Sequence, residues 1–158
     1  MKNLLWKIRS FHQMNVFELN AIFRLRQEVF AVEQNCAYLD ADGKDQFSEH
    51  IFGVDDDGRV LAYCRIVQPS VPMPDVSIGR IATHIDVRGT GLGKILMEKA
   101  MAFIDDRYGK VSIRLEAQQY LMKFYENYGF VANGDTYLLD GIEHVEMLRN
   151  IEKVMINY

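Results

Sequence analysis

The feature that most restricts this chain is a run of alternating glycines, Arg88-Gly89-Thr90-Gly91-Leu92-Gly93-Lys94, set between a strand-like segment and a long amphipathic one. Upstream, Val76 to Ile85 has the β-branched character of a strand. Downstream, Leu92, Ile95, Leu96, Lys99, Ala100, Phe103 and Ile104 recur at helical spacing, with Lys99 the only charge on that face. A strand that enters a helix through glycines brings bare backbone and unpaired N–H groups to the positive end of a helix dipole, which suits a pyrophosphate. Arg88 and Lys94 would add charge-assisted contacts. A glycine turn can also serve only to let a helix pack closely on a strand, but three alternating glycines favour a ligand.

Spacing excludes two familiar phosphate loops. A P-loop has four residues between its first glycine and its Gly-Lys pair and then Ser or Thr, whereas three separate Gly89 from Gly93 and Ile95 follows Lys94. A dinucleotide fingerprint reads GxGxxG, whereas this run reads GxGxG and no acid closes a following strand at the right distance.

The rest of the chain supplies a sheet. Asn15 as N-cap with Glu18 three residues on predicts a helix from Val16 to about Gln34, its apolar positions being Ile22, Phe23, Leu25, Val29 and Phe30. Ile51 to Val54 and Val60 to Val67 flank Asp57-Gly58, read as a two-residue hairpin turn, and Phe130 to Leu139 and Ile142 to Leu148 flank Asp140-Gly141 in the same way. Val111 to Ala117 alternates as a strand, and Leu121, Phe124, Tyr125 and Tyr128 mark a short helix ended by Gly129. Pro69, Pro72 and Pro74 fall in one loop rather than at a domain boundary. The order is β-α-β-β-β-α-β-α-β-β, an α/β (α+β) fold with a mixed, mostly antiparallel central sheet and helices on both faces.

At 158 residues and 18.3 kDa, a chain buries roughly 70% of its unfolded surface. One domain over residues 1–158 with one core is expected, without disulfide or metal. The net charge of −4 gives no general attraction for nucleic acid or anionic lipid. Cys36 and Cys64 form no CxxC and read as one core and one loop residue of a reduced, cytoplasmic compartment. No apolar run reaches a membrane span and the first nine residues do not read as a signal peptide. Edge strands, Met-rich surfaces or the C-terminal Val154-Met155-Ile156 are candidates for a homodimer interface.

Arg88, Gly91 and Gly93 fit R/Q-x-x-G-x-G/A, and Phe124-Tyr125-Glu126-Asn127-Tyr128-Gly129-Phe130 resembles an FYxxxGF segment following a fifth strand. Both belong to the GNAT superfamily of acyl-CoA-dependent N-acyltransferases, which the chain resembles. Arg26 to Cys36, Asp40-Ala41-Asp42-Gly43 and Asp140-Gly141-Ile142-Glu143-His144 look like its ElaA-type group, so the likeness spans nearly the whole chain.

The resemblance implies the GNAT acyl-CoA N-acyltransferase fold and acetyl-CoA as cosubstrate, its pantetheine arm paired like an added strand with Ile81, Ala82 and Thr83. Arg88, Gly89, Thr90, Gly91, Leu92, Gly93 and Lys94 are then the pyrophosphate site, and Gln118 is grouped with the coenzyme. The acceptor is a primary amine of a small molecule or peptide. By its place in FYxxxGF, Tyr125 corresponds to the general acid that protonates the leaving thiolate, although a Tyr beside Phe124 and Tyr128 also fits plain core packing. A backbone N–H near Ile81 or Ala82 is the candidate for meeting the carbonyl oxygen.

For the base, Glu33 comes first, because the end of the first helix forms an acceptor wall in the family, with an exposed solvated Glu as the competing reading. Glu116 comes second, unless it pairs with Arg114. His50, His84 and His144 follow by their type, although a lone His at a strand end is usually structural. A water chain would leave no base to find. Asp40, Asp42 and Asp45 could draw a cationic amine or simply build a turn. They do not make an EF-hand, since Asp45 stands where its glycine belongs, and no metal is expected. A non-catalytic acyl-CoA sensor is the alternative. A fainter likeness, through Arg26, Val29, Phe30 and Glu33, is to acyl-homoserine lactone synthases.

Overall fold

Asn15 accepts from the Glu18 amide at 2.8 Å and Glu18 accepts back from the Asn15 amide at 3.2 Å, a reciprocal cap that starts α1 (Val16–Arg26) where the sequence places it. The computed structural model describes residues 3–70 and 75–150. Pro72, Pro74 and the C-terminal Val154-Met155-Ile156 lie outside the described residues. The strands are β1 (Leu5–Ser10), β2 (Ser48–Val54), β3 (Val60–Val67), β4 (Val76–Thr83), β5 (Ile113–Gln118), β6 (Val131–Ala132), β7 (Tyr137–Leu139) and β8 (Ile142–Arg149). Two further helices, α2 (Leu92–Tyr108) and α3 (Met122–Glu126), lie on either side of β5 in the chain.

The sheet runs β1-β2-β3-β4-β5-β8-β6, with β7 also on β8. Every pairing is antiparallel except β4 with β5. β3 is buried along its length, as its near-continuous apolar sequence requires of a strand covered on both faces. One face packs Leu96, Met97, Ala100 and Ile104 of α2 against Cys64, Ile66, Ile78, Leu115 and Met147. The other packs Ile22, Leu25 and Val29 against Phe52, Tyr63 and Ala82. Lys99 breaks the apolar face of α2 without cost because its ammonium sits 5.3 Å from the Trp6 ring.

Three local expectations are corrected. The first helix does not continue unchanged to Gln34, because from Gln27 to Glu33 it widens into π-helical turns. Asp57-Gly58 is not a two-residue turn: Gly58 donates to the Asp55 carbonyl at 3.1 Å and Asp55 to that of Arg59 at 3.0 Å, so three residues form the bend. Phe130 to Leu139 is not one strand but two short ones, β6 and β7, with Asn133 donating to the Glu146 carbonyl at 2.8 Å between them. Asp140-Gly141 is the expected tight turn, with φ of 51° and 77°.

Candidate active site

β4 and β5 pair only at Val76–Ile113 and Ser77–Arg114 and then part. On its other side β4 slips register with β3 around Arg80, a bulge whose residue stands at φ 51°. α1 packs on β2 to β4, and the parted strands open a cleft of about 1220 Å³ between the Gln27–Glu33 segment that follows it and the β7–β8 hairpin. Ile81, Ala82, Thr83, Arg88 and Gln118 line it, together with Glu33, Glu116, Tyr125 and His144. The structure therefore brings residues from the Gln27–Glu33 segment, β4, the glycine loop, β5, α3 and β8 onto one space.

The glycine loop adjoins this cleft. Gly89 and Gly91 stand at φ 75° and 87°, values that a side chain would strain, and a Cβ at either would meet nothing within 4 Å. The first α2 bond runs from Ile95 to the Gly91 carbonyl at 3.2 Å, leaving the amides of Leu92, Gly93 and Lys94 without intrahelical acceptors. Bare amides over open space fit a pyrophosphate, and the unpaired edges of β4 and β5 fit an extended amide-bearing arm. Arg88 holds the loop against β4 by donating to the Thr83 carbonyl at 3.1 and 2.9 Å.

Tyr125 is buried in α3, edge-on to Phe124 and Phe130, and no hydrogen bond to its hydroxyl is present among the described residues. Burial, with smaller contributions from Cys64 and Tyr120, pushes its phenol well above the ordinary value, so it is held protonated. Glu33 accepts from Arg88 at 2.7 Å. Glu116 does not pair with Arg114, whose guanidinium is taken by Asp75 at 2.9 Å and by Glu146, so its exposed carboxylate carries no ion pair among the described residues.

The acidic loop is not bait for an amine, because its carboxylates are spent internally. Arg26, fully buried, donates to Asp40 at 2.8 Å and Asp45 at 2.7 Å. Arg65 grips Asp42 with both nitrogens at 2.8 Å and reaches Asp45 at 3.1 Å, while Arg80 donates to Asp40 at 2.9 Å. Burial alone would raise the Asp42 and Asp45 carboxyls, but these guanidinium bonds hold both below the usual range. Three arginines from separate elements thus neutralise three aspartates beside the cleft, a knot the sequence shows only as scattered charges in a helix, two strands and a loop. Among the described residues no group of three His, Cys, Asp or Glu could hold a metal ion, and no helix is long and apolar enough to cross a membrane.

This strand order, split sheet and glycine loop define an acyl-CoA N-acyltransferase fold. A family model for the acetyltransferase (GNAT) domain matches residues 24–151. The crystal structure of an acyl-CoA N-acyltransferase from Pseudomonas aeruginosa is 38% identical, with a TM-score of 0.89 over 93% of this chain and 99% of that one. Escherichia coli ElaA is 33% identical, with a TM-score of 0.88 over 94% of this chain and 100% of that one. A UPF0039 protein of Synechocystis sp. is 37% identical over 90% of this chain and 93% of its own. The chain belongs to the GNAT acetyltransferase family, in its ElaA-like group.

Proposed function

We propose that the protein transfers an acetyl group from acetyl-CoA to a primary amine of a small molecule or peptide by direct attack, with Tyr125 as general acid. The observation that carries this reading is the opening between β4 and β5, lined by Tyr125 and, where it nears the glycine loop, by Thr83 and Arg88. Leu92, Gly93 and Lys94 would hold the pyrophosphate through their amides, and Ile81 to Thr83 the pantetheine arm. Acetyl-CoA supplies an activated acyl thioester. The Tyr125 hydroxyl, kept protonated by burial, gives a proton to the departing sulfur. Glu33, at the acceptor wall, remains a competing base once a phosphate takes Arg88 from it. Two free cysteines, Cys36 and Cys64, fit the reducing conditions of a cytoplasm.

Calorimetric titration with acetyl-CoA and desulfo-CoA, with NADH as comparator, tests the coenzyme site, and release of free thiol in the presence of primary amines tests turnover. Binding of both CoA ligands with amine-dependent thiol release is expected. Binding without turnover would identify an acyl-CoA sensor instead, and a folded protein that binds neither ligand would overturn the whole reading.

A further inference from the structure

We infer that His144 is the base that removes the acceptor's proton, an inference that rests on the acyltransferase reading above. Three histidines were candidates, and their hydrogen bonds separate them. His50 is buried with both ring nitrogens engaged, Nδ1 with the Tyr63 hydroxyl at 2.8 Å and Nε2 with the Asp45 carbonyl at 2.9 Å. His84 caps the turn Ile85–Val87, its Nδ1 accepting from the Asp86 amide at 3.1 Å, and its Nε2 faces Glu28 at 3.6 Å. His50 has both nitrogens engaged and His84 spends its lone pair on the Asp86 amide, so neither has a basic nitrogen to offer a substrate.

His144 differs. Its Nδ1 lies 2.8 Å from the Ile142 carbonyl. A carbonyl only accepts, so Nδ1 carries the hydrogen and Nε2 the lone pair. Nε2 has no hydrogen-bonding partner among the described residues. The ring is fixed in place by stacking on Tyr137, with centroids 6.1 Å apart and planes 24° off parallel. The tight Asp140-Gly141 turn sets the register that puts Tyr137 opposite it. On its other side His144 pairs with Gln118, at the end of β5 where that strand has left β4. A fixed tautomer with a free basic nitrogen therefore lines the same cleft as Tyr125.

The titratable and charged groups around it are few. Tyr137 faces it from β7, Glu116 stands on the same face of β5, Glu146 lies two residues on in β8, and Asp140 sits in the hairpin. Glu146 is occupied by Arg114 and by the Asn133 amide at 2.6 Å. Glu116 carries no ion pair among the described residues.

The proton inventory closes. Nε2 takes a proton from the acceptor ammonium, and the neutral amine forms its N–C bond to the acyl carbon as the C–S bond breaks. The thiolate takes a proton from Tyr125, the second proton leaving the acylated nitrogen passes through water to restore the Tyr125 hydroxyl, and the imidazolium gives its proton to solvent. The products are amide, thiol and one released proton.

The test uses His144→Asn, whose side-chain amide can still donate to the Ile142 carbonyl but cannot act as a base. In the wild type, long-range ¹⁵N–¹H spectra should show hydrogen on Nδ1 and none on Nε2 at pH 8. The opposite tautomer would overturn the proposal without any turnover assay. In the variant, kcat/KM for the amine should fall about 100-fold and the acidic limb of its pH profile should vanish. Desulfo-CoA affinity should stay within about twofold. A wild-type rate or a persisting acidic limb in His144→Asn would refute this role and leave the acyltransferase reading standing. A wild-type protein that turns over no primary amine would bring down both.

Discussion

Arg88 ties the glycine loop to the acceptor wall: its guanidinium lies 2.7 Å from the Glu33 carboxylate while also holding the Thr83 carbonyl. A phosphate entering the loop and Glu33 therefore draw on the same cation. Both side chains are about a third exposed, so their pairing is worth only about 0.5 kcal/mol. Glu33→Gln should tighten acetyl-CoA binding by about two- to threefold, and Arg88→Ala should weaken it, both read by calorimetry. Unchanged affinity in Glu33→Gln would show that the pair does not compete with coenzyme. A collapse of kcat in that variant would favour Glu33 over His144 as base.

Gly91 caps α2 at φ 87° with open space around its missing side chain. Gly91→Ala should cost about 1–2 kcal/mol of stability through backbone strain. Gly91→Glu adds a carboxylate beside the amides offered to phosphate and should weaken acetyl-CoA binding by at least about 100-fold while the chain still folds. Circular dichroism and calorimetry on the two variants separate strain from charge.

Removing the Tyr125 hydroxyl breaks no hydrogen bond to another described residue. Tyr125→Phe should therefore keep Tm and coenzyme affinity while kcat drops about 100-fold or more. Retained activity would return Tyr125 to core packing alone.

The arginine–aspartate knot predicts a different kind of failure. Asp45→Asn leaves the buried Arg26 short of a counter-charge and should cost about 3–5 kcal/mol, read from urea unfolding at neutral pH. Asp42 and Asp45 titrate lower in the fold than in the unfolded chain. Their stabilisation is thus complete above the unfolded value of about 3.9 and is lost as pH falls through the folded values. The urea midpoint should fall between pH 5 and pH 2 in the wild type, and less steeply in Asp45→Asn.

The parts of this molecule legible in its sequence are those whose cause is local. The Asn15–Glu18 cap, the Asp140-Gly141 turn and the glycine loop each follow from a few neighbouring residues, and the order of strands and helices follows from apolar spacing. The arginine–aspartate knot was hidden because Arg26, Arg65 and Arg80 are far from one another in the chain and meet only when α1, β3 and β4 pack. The split of the last meander was hidden because Phe130 to Leu139 is apolar enough for one strand, and only the pairing with β8 shows where it breaks. The three histidines look alike in sequence. What separates them is which carbonyl or amide each ring nitrogen meets, and the fold decides that.

The widened turns at Gln27–Glu33 hold more residues in a given rise than an α-helix would. Such a segment is a store of length. Removing one residue from it would let the backbone tighten into ordinary helix instead of breaking, and because fewer α-helical residues sweep nearly the same angle as the wider turns, the chain beyond would keep its direction. Which side chains of the segment face the cleft beside Arg88 would change, while the hydrophobic anchor of Ile22 and Leu25 stayed in place. Single-residue gains and losses in this span are thus a route by which related chains could re-aim one wall of the cleft and change the acceptor, with the rest of the sheet left untouched.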